Sequence, residues 1–419
     1  MIRDKQKFFD VRLAHVWMWV RLFIFGVLVF SLVACGGGAS QAVNAVDGSA
    51  FAIAEPPLLS DANVMAVAVE AGPGANVNIP YVSVTVCRPG TQNCVVVDHI
   101  LLDTGSTGLR LLRSAMNGLA LPDQTQMDGS TNSPALLECA QFINFPLWGP
   151  VKKADIVLGG ERASSVPIQI FGDSSYPTIP NGCGSTSTVV DNSADLNANG
   201  ILGVGVFVND RQTYYGCRPY TTNDNCTVTV APSRQVQNPV ALLPTNNNGV
   251  VLQLPSVPPE GTARADGFLI LGIATQANNK LGNAKIVDAD ERGFFSTNYR
   301  GASLTGFTDS GSNSIFVDDA GIPLCTGLYK DFYCPDTTLG MAATIPLRSG
   351  SVDVKPFQVG NAASVLAAPN YAVSSLAAPA GARSFDWGLP FFYGRRVYTG
   401  VVGRNAALVG AGALVAYSP

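Results

Sequence analysis

Short apolar runs separated by turn residues dominate the chain from about residue 64 onwards. Examples are residues 81–86, residues 95–97, residues 154–158 before Gly159-Gly160, and residues 268–271 before Gly272. Runs of this length that are rich in β-branched residues and bounded by Gly, Pro or Asn are typical of β-strands. No segment keeps a helical period over a long stretch, although residues 109–116 are compatible with a short turn or helix. The pattern therefore predicts an all-β protein.

One strand-and-turn unit occurs twice. Its first copy is Leu101-Leu102-Asp103-Thr104-Gly105-Ser106. A similar segment follows 206 residues later, Phe307-Thr308-Asp309-Ser310-Gly311-Ser312. In both units Gly permits a tight turn. The Thr104 or Ser310 hydroxyl can tie its turn to a neighbour, and Ser106 or Ser312 can donate to the carboxylate. An offset of about half the chain predicts two related lobes, residues 63–245 and 246–419, with the second opening at the Asn246-Asn247-Asn248-Gly249 turn.

The composition agrees with the predicted fold class and limits the partners that the protein can have. Charged residues make up only 13% of the chain and hydrophobic residues 47%, with 43 Gly and 27 Pro, which agrees with a turn-rich β protein. The net charge is −4, and no Lys/Arg cluster stands out beyond the N-terminus, so we expect no nucleic-acid partner. We also expect no cofactor and a monomeric protein.

Histidine is scarce, which favours carboxylates as the acid–base groups. The two histidines are His15, in a segment that we expect to be removed, and His99. A Ser-His-Asp or Cys-His mechanism would depend on His99 alone, and a His-rich zinc site is excluded. Two carboxylates a few ångströms apart cannot both ionise easily and therefore share a proton. Asp103 and Asp309 are thus the candidate pair, one acting as base towards water and the other as acid towards a carbonyl, with a titration that belongs to both.

The cysteines indicate an oxidising compartment. Apart from Cys35 there are eight, an even number. Three disulfides between cysteines close in sequence are suggested: Cys87–Cys94, Cys217–Cys226 and Cys325–Cys334. Cys139 and Cys183 remain as a fourth pair. Zinc is the alternative for these cysteines, but no Cys-x-x-Cys spacing occurs, and we expect no metal site.

The N-terminus has the features of an export signal. A basic leader precedes an apolar run over residues 22–33, which is suited to a signal-peptide core and too short to span a bilayer comfortably. The run ends at Leu32-Val33-Ala34-Cys35, which resembles a bacterial lipoprotein box. The resemblance implies a signal peptide over residues 1–35, lipid attachment at Cys35 and an outer-membrane location. An ordinary signal peptide is the alternative. Residues 36–62, rich in Ala, Gly and Ser, are predicted to form a flexible tether.

Five segments in order carry a resemblance to the pepsin-like aspartic proteases over most of the mature chain. They are residues 81–112 with the first Asp turn, Asn199-Gly200-Ile201-Leu202-Gly203-Val204-Gly205, Gly267-Phe268-Leu269-Ile270-Leu271-Gly272, the second Asp turn, and Phe385-Asp386-Trp387-Gly388-Leu389-Pro390-Phe391-Phe392. The resemblance implies a bilobed fold of two β-barrel-like lobes with a cleft that takes a polypeptide substrate. It also implies endopeptidase activity through Asp103 and Asp309.

The chain departs from that family at several positions. Thr308 and Asp386 stand where the family prefers apolar residues. The flap, the hairpin that closes over substrate, has its nearest candidate at Trp148-Gly149, with a core aromatic as the alternative for Trp148. His99 lies four residues before Asp103, so strand alternation would place both on one face and allow His99 to tune the pair. A surface or lobe-packing His99 is the favoured alternative.

Two further interpretations stay open from the sequence. The first is a non-catalytic lipoprotein of the cell envelope that binds a peptide or a partner in the cleft. The second is that both Asp turns are ordinary β-turns whose carboxylates accept backbone N–H groups.

Overall fold

The computed structural model describes residues 48–125, 134–183, 188–216, 226–381, 383–410 and 412–418. The predicted signal peptide over residues 1–35, with Cys35, lies outside these ranges, as does the first part of the predicted tether. Within them, no helix is long and apolar enough to cross a membrane.

Residues 48–62, the second part of the predicted tether, lie against the second lobe. Glu55 N–H donates to Ala277 O at 3.0 Å, and Leu281 N–H donates to Ala50 O at 2.9 Å, with the Ala50 side chain buried. This segment therefore differs from the flexible tether predicted for it, because its backbone finds partners on the folded body.

Strands make up most of the ordered structure. The first half contains β1 (Val64–Val69), β2 (Pro80–Cys87), β3 (Cys94–Asp103), β4 (Thr107–Leu112), β5 (Leu137–Gln141), β6 (Pro146–Leu158), β7 (Glu161–Phe171), β8 (Gly200–Val204), β9 (Thr213–Tyr215) and β10 (Thr227–Val228). The second half contains β11 (Gly249–Gln253), β12 (Ala265–Leu271), β13 (Lys285–Ile286), β14 (Phe295–Tyr299), β15 (Ala302–Thr308), β16 (Ile315–Val317), β17 (Leu339–Pro346), β18 (Val352–Val359), β19 (Ala377–Ala378), β20 (Ser384–Trp387), β21 (Arg396–Gly400) and β22 (Val415–Tyr417).

The helices are single turns. The α-helical ones are α1 (Ser193–Leu196), α2 (Ala362–Val365) and α3 (Ala406–Val409), and the 3₁₀ turns are Gly48–Phe51, Arg113–Met116, Pro232–Arg234, Pro239–Leu242, Ala277–Asn279, Gly327–Tyr329 and Leu389–Phe391. The segment 109–116, compatible with a short helix from its sequence, divides between strand β4 and the 3₁₀ turn Arg113–Met116. Strand β4 is buried along its whole length and pairs with β7 at one edge and β8 at the other.

The first lobe is a closed barrel. Its strands follow the order β6-β7-β4-β8-β3-β2, and a further pairing of β6 with β2 closes the ring. Closure leaves these six strands without a free edge. The second lobe contains a seven-stranded sheet in the order β18-β17-β14-β15-β20-β16-β19.

Strand β1 joins the two lobes. It pairs with β2 on one side and along its whole length with β12 on the other, from Val64 opposite Ile270 to Val69 opposite Ala265. The sheet continues through β11, β21, β22 and β13, so one fifteen-stranded sheet runs from the first barrel into the second half of the chain. The all-β, bilobed architecture expected from the sequence is confirmed. The lobe boundary at residue 245 stays a prediction.

Three of the suggested disulfides are present: Cys87–Cys94, Cys139–Cys183 and Cys325–Cys334. Cys226 is also disulfide-bonded. Its suggested partner, Cys217, lies outside the described residues. The bond between Cys139 and Cys183 ties strand β5 to the loop after β7.

Candidate active site

In the first lobe, Asp103 lies at the end of strand β3, and β8 lies between β3 and β4. Strand β3 runs parallel to β8, with Asp103 opposite Gly203, and β4 leaves the Asp turn antiparallel to the other edge of β8. A side chain at Gly203 would collide with the turn, because a Cβ there would lie 2.7 Å from Thr107 N. The Gly-Ile-Leu-Gly segment singled out in the sequence therefore separates the strands that enter and leave the turn.

The second lobe repeats this arrangement around Asp309. Strand β15 runs parallel to β20, with Thr308 opposite Trp387, and β16 leaves the turn antiparallel to β20. The rings of Phe385 and Trp387 stack at 4.3 Å and belong to the buried core. The second Asp turn thus rests on an aromatic core through the same strand order that supports the first.

Reciprocal hydrogen bonds lock the two turns together. Thr104 N–H donates to Ser310 Oγ at 3.0 Å, and Ser310 N–H donates to Thr104 Oγ1 at 3.0 Å. The Ser310 hydroxyl in turn donates to Leu102 O at 2.7 Å. All three bonds are buried, where an unmade bond would leave a desolvated polar group. The hydroxyl residue after each Asp therefore ties the lobes to each other across 206 residues of sequence.

The two carboxyl groups meet directly. Each lies against the glycine of the opposite turn. A Cβ added at Gly105 would lie 2.6 Å from Asp309 Cγ, and one at Gly311 would lie 2.8 Å from Asp103 Cγ. Both turns require glycine because only a residue without a side chain lets the opposite carboxyl approach this closely.

The environment favours a proton held between the carboxyls. Burial raises the pKa of Asp309 to about 8, and the neighbouring charge of Asp103 and its hydrogen bond contribute to the rise. The Ser312 hydroxyl and the Gly311 N–H act in the opposite direction, because they donate to the ionised form. Burial together with a like charge is the combination that makes two carboxyls share one proton.

The two turns differ in their serine hydroxyls. Ser312 Oγ donates to Asp309 Oδ2 at 2.9 Å. Asp103 instead accepts two backbone donors, Gly105 N–H at 2.8 Å and Ser106 N–H at 3.2 Å. Ser106 Oγ is buried and has no hydrogen-bond partner in the described structure, so the donation expected from both serines occurs only in the second turn.

Asp386 adds a third carboxyl beside the pair. It lies in β20, where its residue is only 5% exposed. Burial raises the pKa of Asp386 well above its usual range, and the charge of Asp309, with a further contribution from Asp103, raises it more. The sequence marked this residue as a departure from an apolar pattern but gave no indication that its side chain reaches the dyad.

Trp148 and Gly149 lie in the interior of β6. The Trp148 residue is 5% exposed, its ring meets the Tyr215 ring edge-on at 5.3 Å, and its indole N–H donates to Tyr176 O at 3.1 Å. A Cβ at Gly149 would lie 2.0 Å from Ile170 O. These contacts fit the alternative reading of Trp148 as a core aromatic and leave its predicted flap role without a contact that supports it.

His99 lies at an irregular point of β3. The pairing of β2 with β3 shifts register between Val82 and Val84, and His99 adopts a φ of 47°. Its ring contacts the Tyr81 ring edge-on at 5.1 Å and approaches Asp98 and Glu70. These contacts fit the alternative interpretation of His99 as a surface or lobe-packing residue.

A buried ionic cluster next to the first turn was missed from the sequence. Arg110, in β4, bridges Glu138 of β5 and Asp210 of the loop after β8, and all three side chains are at most 2% exposed. Burial raises the pKa of Glu138 well above its usual range, while Arg110 opposes the rise. The available signal was a single charged residue in the otherwise apolar run Leu109-Arg110-Leu111-Leu112.

Over the described ranges, no group of three or more His, Cys, Asp or Glu side chains is placed to hold a metal ion. The site itself presents carboxyl groups with hydroxyl and backbone N–H groups around them.

Comparison with known proteins identifies a family. The family described as "Protein of unknown function (DUF3443)" matches residues 60–417, most of the chain. The chain belongs to this family. A search of curated proteins found no match. Among solved structures, this DUF3443 chain is similar to an aspartic proteinase from Irpex lacteus, with a TM-score of 0.46 and 14% identity over 84% of this chain and 96% of that chain.

Proposed function

We propose that the chain is an aspartic-type endopeptidase that hydrolyses peptide bonds with Asp103, Asp309 and an activated water. The observation that carries the proposal is that two related turns bring the carboxyls of Asp103 and Asp309 together, each against the glycine of the opposite turn. The raised pKa of Asp309, about 8, means that one proton stays with the pair at neutral pH.

The pair would act as base and acid in the same step. Its ionised oxygen takes a proton from a water molecule while that water attacks the substrate carbonyl carbon. The shared proton passes to the carbonyl oxygen, which gives a neutral tetrahedral diol. Collapse of the diol returns one proton to the pair and delivers another to the leaving amide nitrogen, so that the C–N bond breaks and the pair regains its starting charge. Because the proton is shared, the roles belong to the dyad and not to either residue separately.

The turns prepare the pair for this chemistry. The reciprocal bonds between Thr104 and Ser310 fix the separation of the carboxyls before substrate arrives. Donors that are already oriented need no rearrangement when charge develops in the transition state. The substrate that suits a cleft between two β-lobes is an extended polypeptide, which we propose as the partner of the site.

Hydrolysis of an unfolded protein tests the proposal. The purified chain is incubated with reduced, alkylated casein between pH 3 and pH 8, and new amino termini are counted. Asp103→Asn and Asp309→Asn should each abolish cleavage, whereas Asp336→Asn, at an exposed carboxyl, should leave it unchanged. Equal cleavage by the wild-type protein and both dyad variants would contradict the proposal, because it would come from a contaminant.

We further propose that the protein is exported and held in the bacterial envelope, in the outer membrane, by a lipid on Cys35. The lipoprotein-like sequence before Cys35 supports this location, and the disulfide bonds support an oxidising compartment. Cys35→Ser should move the protein from the membrane to the soluble fraction. Unchanged membrane retention would contradict lipid anchoring at Cys35.

A peptide-binding envelope protein is the second candidate, and the third buried carboxyl at Asp386 favours it because additional acid in the site departs from the pepsin-like pattern. A peptide containing a statine-type diol mimic distinguishes the two candidates. It should raise the melting temperature of a working dyad strongly and that of Asp309→Asn weakly. Equal shifts for the two proteins would favour binding without catalysis.

A further inference from the structure

A cavity of about 290 Å³ lies next to the strands that support the second Asp turn. Two of its lining residues, Ile315 and Trp387, are directly paired in β16 and β20. Over the described ranges, neither Asp turn contributes a residue to the lining. The cavity is therefore separate from the dyad. Its volume is close to the lower end of the range for small-molecule sites.

The walls of the cavity are mainly apolar. Four buried aromatic residues line it, namely Phe357, Trp387, Phe391 and Tyr393. Arg395 is the one charged residue among the described lining residues. Apolar walls with a few polar groups are typical of ligand sites, in which the polar groups set the orientation of the ligand. The cavity thus combines an aromatic surface with a single cation.

The guanidinium of Arg395 is held in place through one of its three nitrogens. Nη1 donates to Phe391 O at 2.6 Å and to Tyr393 O at 3.3 Å, and the group lies over the Phe391 ring at 4.9 Å. Nε is buried and has no hydrogen-bond partner, and Nη2 also has none within the described parts of the chain. These two donors lie on one edge of the planar group, and two parallel donors match the two oxygens of a carboxylate.

The charge of Arg395 is not balanced by a neighbouring carboxylate. No Asp or Glu of the described residues forms an ion pair with Arg395. Asp353 acts on it at longer range, but this carboxylate already pairs with Lys285 and Lys355. Burial lowers the pKa of Arg395, and Tyr417 and Asp353 only partly oppose the fall. A partly desolvated cation of this kind is stabilised by an anion that accepts its free hydrogen bonds.

We propose that this cavity binds a small monocarboxylate with an aromatic or aliphatic body, whose carboxylate accepts hydrogen bonds from Arg395 while its apolar part lies against the aromatic walls. One arginine balances one negative charge, which suits a carboxylate better than a doubly charged phosphate. Because the Nη1 contacts already fix the guanidinium, binding requires little further ordering of Arg395. The site goes beyond the proposed peptidase function and does not depend on it.

Isothermal titration calorimetry at neutral pH with hydrocinnamate and its neutral amide, hydrocinnamamide, tests the proposal. The two probes share a ring and a shape, and only the acid forms charge-assisted hydrogen bonds with Arg395. The acid should bind to the wild-type protein at least about tenfold more tightly than the amide does. Asp309→Asn should bind the acid with wild-type affinity, because Asp309 is not among the described lining residues.

Two pairs of variants locate the binding site. Arg395→Gln should bind the acid and the amide equally, whereas Arg396→Gln should keep the preference for the acid. Arg396 is the matched control because it is also half-buried, with a buried Nε that has no partner, but is not among the lining residues. Gln358→Trp places a large side chain at an exposed lining position of β18 and should weaken binding of the acid at least about tenfold. Val354→Trp, exposed on the same strand but outside the lining, should leave it unchanged.

Several results would overturn the proposal. They are no measurable binding of hydrocinnamate, equal affinities of the wild-type protein for the acid and the amide, and unchanged binding in Gln358→Trp. Loss of binding in Asp309→Asn would also overturn it, because the acid would then occupy the dyad. If Arg395→Gln fails to fold, the comparison of acid with amide on the wild-type protein and the Gln358→Trp measurement decide. Hydrolysis of casein is a separate measurement, whose failure would leave this site intact.

Discussion

The half-buried Asp309 should make the stability of the protein depend on pH, and substitution by asparagine should abolish this dependence. The folded state raises the pKa of Asp309 to about 8, against about 3.9 for an unfolded Asp. The folded protein therefore binds this proton more tightly than the unfolded chain does. The favourable contribution is complete below about pH 3.9 and is lost as pH rises towards 8.

The magnitude follows from the shift. One pKa unit corresponds to about 1.4 kcal/mol, so a shift of about four units amounts to roughly 5 kcal/mol between pH 4 and pH 8. Because Asp309 is coupled to Asp103, this figure is an order of magnitude for the second ionisation of the pair. Asp309→Asn does not titrate and keeps the shape of the side chain, so it should become increasingly more stable than the wild-type protein across this range.

Urea denaturation at half-unit steps from pH 4 to pH 8, with the disulfides intact, measures the effect. The free-energy difference between Asp309→Asn and wild type should grow with pH and level off above about pH 8. Asp336→Asn, at an exposed carboxyl, provides the matched control and should show no such growth. A difference that is constant or shrinks with rising pH would refute the reasoning, because Asp309 would then be ionised in the folded protein.

Three other predictions concern the packing around the site. Ser310→Ala removes the partner of Thr104 N–H and the bond to Leu102 O, and should lower the urea-unfolding free energy by about 2–3 kcal/mol. A loss below about 0.5 kcal/mol would show that these hydrogen bonds do not hold the two turns together. Gly105→Ala places a Cβ 2.6 Å from Asp309 Cγ, and should reduce kcat by about a hundredfold with native circular dichroism retained; normal turnover would show that the carboxyls do not need this contact. Trp148→Phe should keep near-normal kcat, whereas Trp148→Ala should cost about 3–5 kcal/mol of stability in denaturant; lost activity with unchanged stability in either variant would instead indicate a flap.

The repeated elements of this fold could be predicted from the sequence, because their residue types occur in few structural contexts. Asp followed by a hydroxyl residue and Gly, at the end of an apolar strand, predicted both turns, and the structure brings Thr104 and Ser310 into reciprocal contact. The segments around Gly203 and Gly388 were also placed correctly beside the turns. Glycine at these positions is required by backbone approach, since a Cβ at Gly388 would lie 2.0 Å from Ser314 O.

The remaining features could not be predicted from the sequence, because they depend on strand register and on contacts between distant segments. The β2–β3 register shifts between Val82 and Val84 and His99 adopts a positive φ, and nothing local in the sequence marks a bulge. Trp148 is compatible with a hairpin tip or a core from its sequence, and only the contact with Tyr215 distinguishes them. Asp386 and Arg110 each interrupt an apolar run, but the acidic groups near them come from segments that are distant in the sequence.

The shared strand β1 has a consequence for the order in which the protein is made. Val64 lies near the start of the folded body, and its partner Ile270 follows more than two hundred residues later. At ordinary rates of synthesis the partner strand emerges roughly 10–40 s after β1, so one edge of β1 waits unpaired for that time. The reciprocal bonds between Thr104 and Ser310 form later still, since Ser310 follows β12 in the chain. The two Asp turns therefore cannot meet until the segment that carries Asp309 has been synthesised.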